Sequence, residues 1–315
     1  MGKILPTKMQ QRTILDYLII SLKGIAMGAA DVVPGVSGGT IAFISGIYEE
    51  LLTSISSINF QTLKLLKTQG FKAAWKAVNG NFLIALLSGI FISIISLAKL
   101  ISWLLEHKPI LVWSFFFGLV LASIFFVAKQ ITKWNLGTIF LLILGAVAAF
   151  YITTLQPLIS ENSSPLFLFF AGALAICAMI LPGISGAFIL VLLGAYKPVL
   201  DAIHNKNLQL LFFLGIGAIV GLLSFSKILK WLFNHYHNFT LAALTGFILG
   251  SLNKIWPWKQ VLETQVFGDK TVVIKEASIS PLHFEGNPQI SSAILLAIIG
   301  FAVILILEKL ANKFS

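Results

Sequence analysis

One cysteine in 315 residues, Cys177, excludes an intrachain disulfide and any cysteine-built metal site. Charge is almost as scarce: charged residues make up 11% of the chain against 57% hydrophobic, and mean hydropathy is +0.94. A soluble domain of this length needs far more polar surface, and several apolar runs exceed the ~18 residues that mark a candidate membrane span. The five histidines (His107, His204, His235, His237, His283) fall near span ends or in loops, without H-E-x-x-H or paired ligand spacing, and there is no P-loop. The sequence therefore offers no metal centre, no cofactor and no nucleotide as energy source. It reads as an all-α polytopic membrane protein. The net charge of +10 raises the question of nucleic acid, but the lysines are spread over many short loops. Anionic lipid headgroups and the positive-inside bias account for them, and no nucleic-acid partner is expected.

What the chain does contain is a string that occurs twice. Pro34-Gly35-Val36-Ser37-Gly38-Gly39 returns 148 positions later as Pro182-Gly183-Ile184-Ser185-Gly186-Ala187, and eight of the nineteen positions from Pro34 to Leu52 are identical between the copies. A second offset, 128, aligns the spans that follow. Gly89 meets Gly217, Lys99 meets Lys227, Trp103 meets Trp231 and Gly118 meets Gly246. This is an internal repeat. Proline stops an incoming helix and pushes the residue before it out of helical geometry. Gly35 and Gly183 permit a sharp reversal, and Ser37 and Ser185 are good N-caps for a new helix. Each copy is thus helix, break, helix inside an apolar run, which a membrane tolerates only where the break lines a cavity or is buried in protein.

The chain divides into two halves. Residues 1–160 hold a broken hairpin (13–57), a basic amphipathic connector with Lys64, Lys67, Lys72 and Lys76, and spans at 81–105, 110–129 and 136–156. Residues 161–315 hold a hairpin (166–203), spans at 208–233, 239–255 and 290–308, and a polar excursion at 256–289 with strand-like alternation near its end. A hairpin returns to its own side, so three spans per half invert the second half relative to the first. The basic residues agree with that parity. With the N-terminus in the cytoplasm, Lys3, Lys8, Arg12, Lys23, the four connector lysines, Lys129, Lys133, Lys227, Lys230, Lys309 and Lys313 lie inside, while the linker 157–165 has no Lys or Arg. Both termini are then cytoplasmic, and 256–289 is external. Cleavage of residues 1–30 as a signal peptide is disfavoured, because Lys23 interrupts the apolar run and this stretch is the first arm of the repeated unit.

The half-helices beginning at Ser37 and Ser185 would present free backbone N–H groups, and Gly38, Gly39 and Gly186 let an anion approach closely. Inverted symmetry would set the two tips face to face near the bilayer midplane. Each helix end offers at most about 2 kcal/mol to an anion, whereas burying an ion effectively costs several kcal/mol. Water in the cavity or a lysine must make up the difference; Lys23, Lys99 and Lys227 are the candidates, with snorkelling as the plain alternative for the last two. Asp31, whose repeat equivalent is Met179, is a carboxylate inside an apolar arm. Either it couples transport to a proton or a sodium ion, or it caps the break. Glu49 marks the mouth of the first hairpin. Lipid-facing phenylalanine accounts for the 26 Phe residues, although an isoprenoid groove would also use them.

Residues 27–40, Met-Gly-Ala-Ala-Asp-Val-Val-Pro-Gly-Val-Ser-Gly-Gly-Thr, with Gly46-Ile47-Tyr48-Glu49 after them, resemble a bacterial family once filed as a domain of unknown function and now called the polyprenyl-phosphate transporter family. Leu181 to Gly186 with Leu193-Gly194-Ala195-Tyr196 carries the same likeness. The resemblance spans essentially the whole chain. It implies a non-enzymatic carrier that returns undecaprenyl phosphate, a lipid carrier of cell-wall precursors, from the outer to the inner leaflet of the cytoplasmic membrane. The phosphate would then bind at Ser37, Gly38, Gly39, Thr40, Ser185 and Gly186. Ala187 and Phe188 replace Gly39 and Thr40 in the second copy, which weakens the expectation of symmetric coordination. The residues alone reach a secondary transporter of an anion, so a small soluble anion is the alternative substrate. A lipid-phosphate hydrolase is a third, and oligomeric state stays open.

Overall fold

A computed structural model describes residues 12–33, 35–158, 163–267 and 270–313; for 265–267, 270–272, 274 and 307–313 only the backbone path is described. Pro34, Lys3, Lys8 and linker residues 159–162 therefore lie outside the described residues. The first half runs α1 (Ile14–Val32), α2 (Gly38–Ile44), α3 (Tyr48–Ser56), the short α4 (Phe60–Gln69) and α5 (Phe71–Ala77), then α6 (Gly80–His107), α7 (Pro109–Lys129) and α8 (Leu136–Thr154). The second runs α9 (Pro165–Ile180), α10 (Gly186–Leu192), α11 (Tyr196–His204), α12 (Leu208–Ser251), a 3-10 turn (Leu252–Ile255), strands β1 (Lys259–Phe267) and β2 (Lys270–Ser278), and α13 (Ile290–Lys313).

Local chemistry sets the starts. Thr13 and Asp16 form a capping box on α1, Asn135 and Thr138 do the same on α8, and Ser164 caps α9 just before Pro165. Helices α6, α7, α8 and α12 are each long and apolar enough to cross a membrane, and α10 with α11 reaches that length only as a pair bent by 105°. The spans expected at 208–233 and 239–255 are two helical segments that meet without a loop at Tyr236, which leaves helical geometry (φ −134°, ψ 45°); both carry the label α12. The connecting residues Asn234 to Asn238 include neither Gly nor Pro, so the change of direction falls on the single non-helical residue Tyr236. On α4 and α5, Phe60, Leu63, Leu66 and Phe71 are exposed beside the connector lysines, as suits a segment lying along a membrane surface.

Glycines decide how the long helices meet. Gly89 of α6 lies against the Ser21 carbonyl of α1, and Gly217 of α12 lies against the Phe169 carbonyl of α9, with no room for a Cβ at either crossing. These two contacts are repeat equivalents, since Ser21 and Phe169 are 148 apart and Gly89 and Gly217 are 128 apart. The same holds further on. Gly118 of α7 abuts Ala297 of α13, and Gly246 of α12 abuts Leu142 of α8. The last helix of each half thus packs on the other half. One apolar core, with Phe82, Leu86 and Val127 from the first half beside Leu241 and Ile248 from the second, runs through both. Such close backbone approach is how helices associate where lipid removes the hydrophobic drive.

The 256–289 excursion holds an antiparallel hairpin, Lys259 opposite Ser278 and Phe267 opposite Lys270, with a bulge around Glu263. Trp256 and Trp258 anchor it from beneath, their indole N–H groups donating to the Ile279 and Pro288 carbonyls at 2.9 Å each.

Candidate substrate site at the paired breaks

Both breaks are built on left-handed glycines: φ is +82° at Gly35 and +97° at Gly183. No residue with a Cβ adopts these angles without strain. At the first break the side chain of Ser37 caps α2, Oγ accepting from the Gly39 N–H at 3.0 Å. Asp31 reaches over from the end of α1, and its Oδ1 accepts from the Gly38 N–H at 2.7 Å. The Thr40 N–H goes to the Ser37 carbonyl at 2.9 Å. The expectation of free amides at this tip is therefore corrected, because a carboxylate and a hydroxyl have taken them. At the second break Ser185 Oγ accepts from the Phe188 N–H at 3.2 Å, and no side chain reaches Gly186 N–H among the described hydrogen bonds.

The two breaks touch. Ser37 Oγ donates to the Met179 carbonyl at 2.8 Å, Tyr48 Oη donates to the Ile180 carbonyl at 3.1 Å, and the Gly183 N–H donates to Thr40 Oγ1 at 3.0 Å. The first copy thus satisfies the last carbonyls of α9, which would otherwise be orphaned at a helix end. Gly39 makes this possible by lying directly on the Ile180 carbonyl. The arrangement is one-sided. Every residue of α2 is buried and none of α10 is, and Phe188 stands where Thr40 would be repeated.

Other sequence candidates are placed elsewhere. Lys23 Nζ donates to the Ser45 carbonyl at 2.7 Å, at the far end of α2 from the break, where a cation meets the negative pole of the helix. Lys99 and Lys227 are exposed on α6 and α12, and among the described contacts neither meets the breaks. Glu49 is exposed and meets His237 Nε2 at 3.3 Å across the kink of α12. Its neighbour Glu50 does more. Arg12 holds it bidentately at 2.6 and 2.7 Å while Asn79 Nδ2 donates at 2.7 Å, tying the start of α1 to α3 and α6. Among the described residues no basic side chain pairs with Asp31.

Sequence reasoning missed Lys254, which it counted only as a loop charge. The lysine stem packs on Gly35 at the first break, and its ammonium sits 4.7 Å from the Phe188 ring at the second. Nζ also donates to Glu276 Oε1 at 2.8 Å, an oxygen shared with Lys259 at 3.0 Å. No local pattern announces this, since Glu276 comes from β2 and Phe188 from another hairpin. Burial pushes the Lys259 ammonium down to about 8, Glu276 opposing and Lys254 adding to the shift. Burial alone would raise Glu276, but the two ammoniums hold it below the usual carboxylate range. Between pH ~8 and the ordinary lysine value of ~10.4 the unfolded chain binds more protons at position 259 than the folded one, so stability rises with pH in that window. The thermal midpoint of wild type should climb relative to that of Lys259→Met from pH 8 to 10; parallel profiles would show that Lys259 is not titrating from a buried position.

Residues 27–273 match the model of the undecaprenyl phosphate translocase-like family. The chain belongs to this family. Among the translocase-like relatives, a polyprenyl-phosphate transporter of Vibrio cholerae serotype O1 is 50% identical over 304 residues, covering 95% of this chain and 98% of that protein. A polyprenyl-phosphate transporter of Staphylococcus aureus is 32% identical over 253 residues, covering 75% and 85%. No solved structure matches the chain significantly. The matched region contains both breaks, Asp31 and Lys254. The apolar helices and the family together make this translocase-like chain a membrane protein of a transporter family, not an enzyme.

Proposed function

We propose that this protein carries a polyprenyl phosphate, undecaprenyl phosphate or a close relative, from the outer to the inner leaflet of the bacterial cytoplasmic membrane, recycling the carrier lipid of cell-wall synthesis. The observation that carries the reading is the interlock of two repeat-related breaks, Ser37 with Met179 and Thr40 with Gly183, in a chain whose relatives are named for this substrate. The halves are taken as inverted repeats, so that the breaks alternate between the two faces. Neutral hydrogen bonds are worth about 1 kcal/mol each net. The three that join the breaks are therefore strong enough to close the passage and weak enough to part. The headgroup passes between the tips, where the second tip's Gly186 amide and the Lys254 ammonium supply the attraction that the first tip, occupied by Asp31, does not. Asp31 is the proposed coupling group. An ionised carboxylate beside a phosphate repels it, so protonation of Asp31 and passage of the headgroup go together.

The test is a leaflet-sidedness assay in liposomes holding purified protein and a defined polyprenyl phosphate, run with and without proton or sodium gradients. Protein-dependent loss of the lipid phosphate from one leaflet, accelerated by a proton gradient, is the expected result. Transport of inorganic phosphate with no movement of the lipid would replace this reading with the soluble-anion one.

A further inference from the structure

Beneath the β-hairpin lies a cavity of ≈330 Å³, bounded by the C-terminal end of α8, the 3-10 turn, the hairpin and Phe188 of α10. Its polar lining includes Lys254, Lys275, Glu276, Thr154 and Gln156. The charges do not balance. Lys254 and Lys259 share one oxygen of Glu276, and Lys275 on the wall adds a third ammonium, with Glu263 its cross-strand neighbour; three ammoniums thus stand against two carboxylates. Lys259 is the inner member of the cluster. It lies 4.1 Å from the Trp113 ring and donates to the Lys254 carbonyl, so its charge is held behind the cavity rather than in it. Side-chain exposure is only 19% for Lys254 and 10% for Lys259. Positive charge that is partly withdrawn from water and exceeds the carboxylates around it focuses an attractive field on an anion in the adjoining space.

We propose that this cavity is a second anion site, adjoining the breaks and sharing Lys254 with them, at which Lys254 and Lys275 receive a phosphomonoester. It extends the proposed function and depends on it only for the source of the phosphate, a lipid headgroup rather than the free ion. Lys254 joins the two sites. Its ammonium can turn from Glu276 to the phosphate while its stem stays against Gly35, and Phe188 lines the same cavity, so a captured headgroup already lies beside both breaks. Gln156 supplies a neutral donor that positions a phosphate without adding charge, whereas the Thr154 hydroxyl already donates to the Tyr151 carbonyl at 2.8 Å. Phe150 and Leu262 on the same wall offer apolar surface to the first carbons of a chain.

Binding is measured with the full-length protein in phosphatidylcholine nanodiscs, using farnesyl phosphate, farnesol and inorganic phosphate as probes. Lys254→Gln is expected to weaken farnesyl phosphate about tenfold or more, the loss of one charged hydrogen bond. Lys275→Gln, which among the described residues breaks no ion pair with Glu276, should weaken it several-fold, and Lys254→Arg should restore most of the affinity. Farnesol should bind without any dependence on these lysines. Wild-type affinity in both glutamine variants would overturn the site, and with it the part given to Lys254 at the tips, while transport of the lipid by the wild type would still stand. Conversely, lysine-dependent binding of inorganic phosphate by a protein that moves no polyprenyl phosphate in liposomes would keep the site and remove the lipid as its source.

Discussion

Gly39→Ala should abolish transport and lower the thermal midpoint by several degrees. A Cβ at position 39 would collide with the Ile180 carbonyl and stand 3.0 Å from that of Met179. Both are backbone atoms at the end of α9, so no rotamer change can relieve the clash. Overpacking of this kind costs about 1–3 kcal/mol. Separating the breaks would also strain the bonds from Ser37, Tyr48 and Thr40, each worth about 1 kcal/mol. Gly38→Ala provides the contrast. Its Cβ would meet the Asp31 carboxylate at 2.5 Å, and a side chain can turn aside, so the midpoint should fall less. Differential scanning fluorimetry and the liposome assay read both effects. A Gly39→Ala protein with wild-type midpoint and wild-type transport would mean that the breaks need not touch.

Asp31→Asn should leave the fold intact and remove the response to a proton gradient. The amide oxygen can still accept from the Gly38 N–H, now bonded to Asp31 at 2.7 Å, so the cap survives and stability should change by less than about 1 kcal/mol. What disappears is the ionisable group. Asp31→Ala tests the other role, since it strips the cap and should cost about 0.5–2 kcal/mol. If the Asp31→Asn protein still speeds up when the outside is acidified, Asp31 is a cap and the coupling group lies elsewhere. If the asparagine variant is only as active as wild type without a gradient, and the alanine variant is both inactive and less stable, the two functions of the carboxylate are separated.

Ser37 shows how a residue can be read correctly as a cap and still be incompletely understood. The sequence identifies its N-cap role, and the Oγ does accept from Gly39. It also donates to a carbonyl 142 residues away, which uses the hydroxyl for joining the halves in this conformation. Lys99 and Lys227 show the reverse. Their repeat equivalence suggested a shared task, yet both face outward, because equivalence between halves preserves a helix face and does not say what that face meets.

Composition and local pattern determined the membrane class, the broken hairpins at Gly35 and Gly183, the capped helix starts and the strand alternation before Ser278. Each of these depends on backbone angles, capping or hydropathy within a few residues of chain, and such properties are written where they act. Only the tertiary structure chose the capping contact for Asp31 from the two readings the sequence offered, and only it decided that Tyr48 and Thr40 reach across to the second tip and that Lys254 and Glu276 meet beside both. The Tyr48 and Thr40 contacts join segments more than a hundred residues apart, where glycine lets helix backbones approach closely, and the Lys254–Glu276 pair crosses from the 3-10 turn to β2; no local spacing encodes either.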